Sequence, residues 1–398
     1  MNKTAGQELV MEKYNFDEVV DRKNTDSCKW DVKKGELPLW VADMDFETAP
    51  CVKNAIIKRA QHGVFGYNII SEKFYESYIS WWKTRYDFTI EKDALIFSTG
   101  VIPSISSCVR KLTSVAEKVL VMTPVYNIFF NSIVNNGRIV KESPLEYDRE
   151  NCSYSIDFSR LEADLKDPQV TLMILCNPHN PCGKIFTKEE LGKIGDLCKK
   201  YSVTVIADEI HCDFTVPGKK YIPFASVSET CKDISVTCIS PAKSFNIASL
   251  CTSAVVVFNP VLRHKVWRAL NTDECAEPSA FALVAAYEAY MNGGEWFTQL
   301  NEYLFENRKY ACDYIKTNCP KLKCVDAEAT YLLWIDVSGT ELSGNKFAAL
   351  LREKTGLYIC GGLQYGKGGE NFIRINLACP RVILEDAMER LKNYCVTL

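Results

Sequence analysis

One lysine stands in a short polar turn, Ser240-Pro241-Ala242-Lys243-Ser244-Phe245-Asn246. The apolar runs on either side, Ile234–Ile239 and Ser253–Phe258, read as strands. A lone lysine is ordinarily a solvated surface charge. This one shares the chain with three other polar groups at predicted strand ends: the loop Cys176-Asn177-Pro178-His179-Asn180-Pro181-Cys182-Gly183, Asp208 after Val203–Ala207, and Arg374 inside the mostly apolar run Phe372–Asn376. A lysine amine can condense with a carbonyl carbon or carry a proton. A carboxylate as deep as Asp208 needs a partner; a protonated ring nitrogen would serve, and so would a helix cap or a salt bridge. Arg374 suits bidentate capture of a carboxylate, and an internal ion pair fits it equally well.

The surrounding loops add to this set. In Thr99-Gly100-Val101-Ile102 a glycine precedes a predicted helix, whose free amides suit a phosphate; alone, the stretch also fits an ordinary strand-to-helix turn. Two prolines and a glycine make the Asn177–Gly183 loop rigid enough to aim an Asn amide inward. His179 reads as a loop-packing residue rather than a base. Tyr126, after Thr123-Pro124, is placed to stack on a planar ring, and Tyr67, in the Gly-containing loop His62–Ser71, to donate to a phosphate; either also fits plain packing. Glu209-x-His211 hints at a metal, yet no second ligand cluster stands at suitable spacing, so no metal site is expected. Together the amine, carboxylate, amide, guanidinium and helix-head N–H groups are those needed to hold pyridoxal phosphate and an amino acid.

These groups must be positioned by a large core, and 398 residues provide one. A net charge of −3 gives no basic surface for nucleic acid. No apolar run approaches a membrane span. Met1–Lys13 is polar and lacks the apolar core of a signal peptide, so a cytoplasmic setting is expected. The 18 cysteines are scattered, with none in Cys-x-x-Cys spacing, which reads as reduced, mostly buried thiols.

The pattern along the chain alternates strand and helix. Helices are expected at Cys51–Gln61, Glu72–Tyr86, Val101–Leu112 and Lys188–Tyr201. Strands are expected at Leu95–Ser98, Val119–Met122, Ile139–Lys141, Val170–Cys176 and Val203–Ala207, beside the two that flank Lys243. This predicts an α/β fold with a mostly parallel, doubly wound sheet. After about Tyr290 the pattern changes to a long helix over Glu295–Thr317, strand Tyr331–Val337, helix Asn345–Lys354, strand Phe372–Asn376 and helix Arg381–Cys395, a smaller α+β unit. The expected division is 1–46 as a segment packing on the small domain, 47–290 as the large domain and 291–398 as the small one.

Four stretches, Asn177–Gly183, Val203–His211, Ser240–Asn246 and Phe372–Arg381, resemble fold-type I pyridoxal-phosphate enzymes of the class I/II aminotransferase superfamily. The resemblance is closest to the cystathionine β-lyase / cysteine-S-conjugate β-lyase branch, which includes cystalysin. Its marks are Trp40-Val41-Ala42-Asp43-Met44-Asp45-Phe46, Thr123-Pro124-Val125-Tyr126, Thr330-Tyr331-Leu332-Leu333-Trp334 and Asn376-Leu377-Ala378-Cys379-Pro380-Arg381. They run in order over nearly the whole chain. The resemblance implies a large domain with a mostly parallel seven-stranded sheet plus a smaller α+β domain.

It also implies roles. Lys243 would hold pyridoxal 5'-phosphate as a Schiff base and move the proton. Asp208 would pair with the ring nitrogen, Asn180 with the ring hydroxyl, and Tyr126 would stack on the ring with His211 nearby. Gly100, the amides of Val101 and Ile102, and Ser240 would hold the phosphate. Tyr67 would reach the cofactor of a neighbouring subunit, which implies a homodimer with shared active sites. Arg374 would take the substrate carboxylate together with Asn180, under a loop containing Trp40 and Ala42. Thr99, Ala242 and Tyr365 depart from the proline, serine and phenylalanine common there, and Cys251 stands where many aminotransferases of this fold carry a phosphate-binding arginine. The implied activity is α,β-elimination on cystathionine- or cystine-type substrates. An aminotransferase is the nearest alternative and a regulatory protein retaining the fold a third.

Overall fold

The computed structural model describes residues 13–398; of the N-terminal stretch read as lacking a signal peptide, all but Lys13 lies outside them. Seven strands form the main sheet: β1 (Leu95–Ser98), β2 (Lys118–Val121), β3 (Ile139–Glu142), β4 (Val170–Cys176), β5 (Thr204–Asp208), β6 (Ser235–Ile239) and β7 (Ser253–Val256). Their order is β1-β7-β6-β5-β4-β2-β3. Only β7 runs antiparallel to its neighbours. β4 and β6 are buried along almost their whole length because helices cover both faces. One such helix, α1 (Val101–Leu112), buries Val101, Ser104, Ile105, Cys108 and Val109, a 3.6-residue stripe, and ends on Arg110 and Lys111.

The smaller unit holds a four-stranded antiparallel sheet, ordered β8 (Lys323–Cys324), β9 (Leu332–Asp336), β11 (Phe372–Asn376) and β10 (Cys360–Gly361). It packs on α2 (Gly294–Asn318) and α3 (Arg381–Cys395) through a core that includes Leu333, Ile335, Ile373, Ile375 and Leu384. The α/β expectation holds, with the seven-stranded, mostly parallel sheet and the smaller α+β unit both present.

The expected long helix over Glu295–Thr317 is present as Gly294–Asn318 and does not begin earlier. A separate helix, Ala280–Asn292, precedes it, and the chain breaks at Gly293. There the Phe245 ring lies so close that a Cβ would collide with it. The hairpin Glu146–Asp148/Ser153–Ser155 was absent from the expected elements; its strands are short and largely solvent-facing, so no apolar run marks them.

The N-terminal segment touches both units. Leu37–Pro38 adds in parallel to Leu357–Tyr358, while Phe16, Met44 and Phe46 enter a core with Trp296 and Phe297. Between these points the chain passes Trp40 and Ala42, at the mouth of the cleft described next.

Candidate active site

In an open α/β sheet, ligands sit beyond the carboxyl ends of the parallel strands. Here a cavity of about 300 Å³ opens at that end. The turn after β6 contributes Ser240 and Lys243, β5 and its continuation Asp208 and His211, the loop after β4 Asn180, and the head of α1 Gly100, Val101 and Ile102. Tyr126 and Ala42 complete the wall. Groups from six separate stretches of sequence are thereby brought together.

Lys243 directs its amine at the carbonyl of Ala42. Burial pulls its pKa down to about 8, with Arg374 adding to the effect and Asp43 and Asp208 opposing it. Asp208 is 3% exposed. Its Oδ1 accepts one hydrogen bond, from the Ile210 amide at 3.1 Å, and among the described residues no cation lies at ion-pair distance. Burial therefore raises its pKa to about 7. The neighbouring Glu209 is equally buried and also raised to about 7, but it accepts from the Phe224 amide at 2.8 Å and faces a different loop. Of the two adjacent acids, only Asp208 opens into the cavity.

Arg374, on β11, lies behind this wall. Its Nη2 donates to the Trp40 carbonyl at 2.9 Å and its Nη1 to Asn180 Oδ1 at 3.3 Å, while Nε has no acceptor. Its guanidinium also lies over the Tyr365 ring, 5.1 Å from the centroid. His211 is kept neutral, its pKa lowered to about 3 by burial and then by Lys243 and Arg374, and its Nδ1 has no partner. His179 faces the carbonyls of Pro124 and Cys176 and is lowered to about 4 by burial, which fits loop packing.

Three placements differ from the simplest expectation. The Trp40 ring does not line the cavity; it stacks on Tyr358, and the residue contributes its carbonyl. The Ser240 hydroxyl lines the cavity but is engaged, donating to the Thr252 carbonyl and accepting from the Ala242 amide. Tyr67 is fully exposed and does not enter the cavity of its own chain.

Other residues position the site and carry no obvious sign in the sequence. Tyr331 donates to the same Ala42 carbonyl at 3.0 Å. Asn376 donates to the carbonyls of Val41 and Asp43, both at 2.6 Å, and Asn246 grips Met44 and Phe46. Asp45 is held by the fully buried Lys29 at 2.6 Å and by Arg22 at 2.7 Å. The segment carrying Ala42 is thus fixed from both units. On the other side of Lys243, Ser244 donates to the buried carboxylate of Asp213, which also receives Trp81 and Tyr86. Asp213 could have been suspected only as an acid in an apolar neighbourhood, Cys212 to Phe214.

The donor set suits pyridoxal phosphate. A buried acid facing the cavity without a cation is what a protonated ring nitrogen would satisfy. A partly neutral lysine amine suits an aldehyde. The head of α1 has no side-chain cap, so its first N–H groups remain for a phosphate. Among the described residues no group of three or more His, Cys, Asp or Glu is placed to hold a metal ion.

The aminotransferase class I and II family model matches residues 35–391. The chain is 39% identical over 385 residues to cystathionine beta-lyase PatB of Bacillus subtilis, covering 95% of this chain and 99% of that one. It is 33% identical over 388 residues to protein MalY of Escherichia coli, covering 96% and 98%. Cystalysin of Treponema denticola, whose crystal structure contains pyridoxal 5'-phosphate, superposes with a TM-score of 0.93 at 30% identity, over 97% of this chain and 99% of that one.

Proposed function

This chain belongs to the aminotransferase class I and II family, and we propose that within it the protein is a pyridoxal-phosphate-dependent carbon–sulfur β-lyase. It would cleave the Cβ–S bond of cystathionine- or cystine-type amino acids, giving pyruvate, ammonia and a thiol. The observation that carries the reading is the pairing of a lysine amine lowered to about 8 with a cation-free buried carboxylate in one cavity. The choice of lyase rests on the relatives.

When bound, the cofactor supplies an aldehyde for amines and a ring that accepts electrons from the substrate Cα. Lys243 would hold that aldehyde and, once free, remove the Cα proton; an amine near pH 8 is partly unprotonated under physiological conditions. Asp208 would keep the ring nitrogen protonated, and Asn180 would bond the ring hydroxyl. Tyr126 would cover the ring face, beside His211. Gly100, Val101, Ile102 and Ser240 would surround the phosphate. Arg374 would orient the substrate carboxylate by exchanging its 3.3 Å contact with Asn180 for a shorter charged one. The carbonyls of Trp40 and Ala42 hold Arg374 and Lys243 in register from the opposite wall.

A homodimer belongs to the same proposal. The exposed Tyr67 stands among Val64, Phe65 and Ile69, all exposed, an apolar patch suited to a second copy. Residues 47–290 would act as the cofactor-holding body, with 13–46 and 291–398 forming the wall that presents Arg374. A cytoplasmic setting accords with eighteen free cysteines.

Purified enzyme given L-cystathionine and pyridoxal phosphate, with no 2-oxo acid, should release pyruvate and thiol steadily. A strict requirement for a 2-oxo acid acceptor would make it an aminotransferase instead. Binding of a regulatory protein without turnover would remove both readings.

A further inference from the structure

Arg374 has a thiol beside it in the small sheet. In the antiparallel pair of β10 and β11, Cys360 stands directly opposite Arg374, so the two side chains leave the same face. Cys360 is buried. Its Sγ donates to the Trp40 carbonyl at 3.2 Å and accepts from Arg374 Nη2 at 3.9 Å. The same carbonyl accepts from Nη2 at 2.9 Å. Sulfur, Nη2 and carbonyl oxygen thus close a triangle. A carbonyl oxygen has two lone pairs, and these two donors use both. The strand carrying the thiol is packed tightly. A Cβ at Gly361 would collide with Asn345, whose Oδ1 also accepts from the Leu363 amide at 3.1 Å. The rest of the guanidinium is less confined. Nη1 reaches Asn180 Oδ1 at 3.3 Å, and Nε has no acceptor. Asn180 itself lines the cavity that holds Lys243.

We propose that Cys360 is a positioning residue for carboxylate capture: it keeps Nη2 on the Trp40 carbonyl while Nη1 leaves Asn180 for the substrate. The proposal rests on the reading of Arg374 as the group that takes the substrate carboxylate. A thiol suits the place because it is small and both donates and accepts weakly at a single atom. It fills the second lone pair of the Trp40 carbonyl and stands against the outer side of Nη2. The Tyr365 ring, 5.1 Å from the guanidinium carbon, covers one face of the same plane. A planar guanidinium pinned at one nitrogen and covered on one face presents its remaining N–H groups in a fixed direction. Lys243 does not depend on the thiol. Its carbonyl partner belongs to Ala42, which Tyr331 also holds. Loss of Cys360 therefore acts on capture of the substrate rather than on proton removal.

The test is to titrate the cofactor-loaded enzyme, at one pH, with L-alanine and with L-alaninamide, following the cofactor's absorbance. Only alanine carries a carboxylate, and neither ligand has a leaving group at Cβ. The unaltered enzyme should prefer alanine by about tenfold or more. Cys360→Ala and Cys360→Val should each cut that preference by about threefold to tenfold and leave alaninamide binding as it was. Valine keeps the bulk but neither donates nor accepts, so agreement between the two variants separates the hydrogen bonds from a packing defect. Cys360→Ser, which keeps a donor and an acceptor, should retain most of the preference. With L-cystathionine, KM should rise in Cys360→Ala by the same factor while kcat stays within about twofold. The proposal is overturned if the preference survives in both Cys360→Ala and Cys360→Val, or if both ligands weaken together. An unaltered enzyme with no preference for alanine also overturns it, by removing the role of Arg374. The titration needs no turnover, so an enzyme that proved to be an aminotransferase would still give the ratio and decide the matter.

Discussion

Arg374 and Arg308 are both buried, both donate through Nη2 to backbone carbonyls, and both keep N–H groups without an acceptor. They differ in how firmly Nη2 is held and in what lies opposite. Arg374 has one carbonyl at 2.9 Å and one long contact to Asn180 at 3.3 Å, and behind Asn180 is the cavity shared by Lys243 and Asp208. Arg308 converges on the backbone of the Ala329–Leu332 turn, deep in the small unit. A leftover donor does not by itself announce a ligand site. A loosely held donor beside a cavity with a complementary acid and base does, whereas one locked onto three carbonyls is first of all structural.

The hardest blow to the comparison would come at Lys243, because it tests whether the cleft is a catalytic centre at all. Lys243→Ala should lower β-elimination by at least about 10⁴-fold, since the cofactor anchor and the proton carrier disappear together. Near-normal turnover would leave Arg374 no more functional than Arg308. The arginines themselves should separate next. Arg374→Ala should raise KM by about 10²-fold or more while the protein stays folded. Arg308→Met should leave KM nearly unchanged and destabilise the fold by about 2–4 kcal/mol, because the carbonyls of Thr330 and Leu332 lose their donor. Denaturant melts beside steady-state kinetics would show whether the effects divide this way.

Asp208 offers a subtler probe with a definite sign. Its carboxyl is raised in the folded chain from 3.8 to about 7, so the folded state binds the proton more tightly than the unfolded one. Without cofactor this penalises folding, beginning as pH rises past about 4 and complete above about 7. At about 1.4 kcal/mol per pH unit, the cost is at most ~4 kcal/mol. Asp208→Asn should therefore stabilise the cofactor-free protein at pH 8, leave it little changed at pH 4, and weaken cofactor binding. Equal stability at both values would mean that Asp208 already has a partner. The smallest effect is expected at Tyr331→Phe, which removes one of two donors on the Ala42 carbonyl. It should cost about 1 kcal/mol in stability and change the pH profile of turnover, as Lys243 becomes the sole donor there.

Much of this architecture was readable from sequence where apolar runs are long and bounded by breakers. Val170–Cys176, Phe372–Asn376 and the helices Glu72–Tyr86 and Arg381–Cys395 have the expected ends. Lys243, Asp208 and Asn180 stood out because each follows or ends a strand that parallel packing must bury. The residues or uses that escaped notice depend on contacts distant in sequence. Asp213 matters because Trp81, Tyr86 and Ser244 converge on it. At Gly293 a side chain is excluded partly by the Phe245 ring, which arrives from another element. Trp40 serves through its carbonyl, and no residue type encodes that use.

The pairing of Leu37–Pro38 with Leu357–Tyr358, and of the Leu39 carbonyl with the Asn376 amide, bears on biosynthesis. Leu37 to Leu39 are made over 300 residues before Leu357, Tyr358 and Asn376, and lack these partners until that later stretch has left the ribosome. The central sheet, complete by Val256, can assemble well before then. One wall of the cleft, with the carbonyls that face Lys243 and Arg374, is therefore the last to close. A nascent chain released prematurely would display Leu37 and Leu39 to chaperones and proteases, and would lack Arg374.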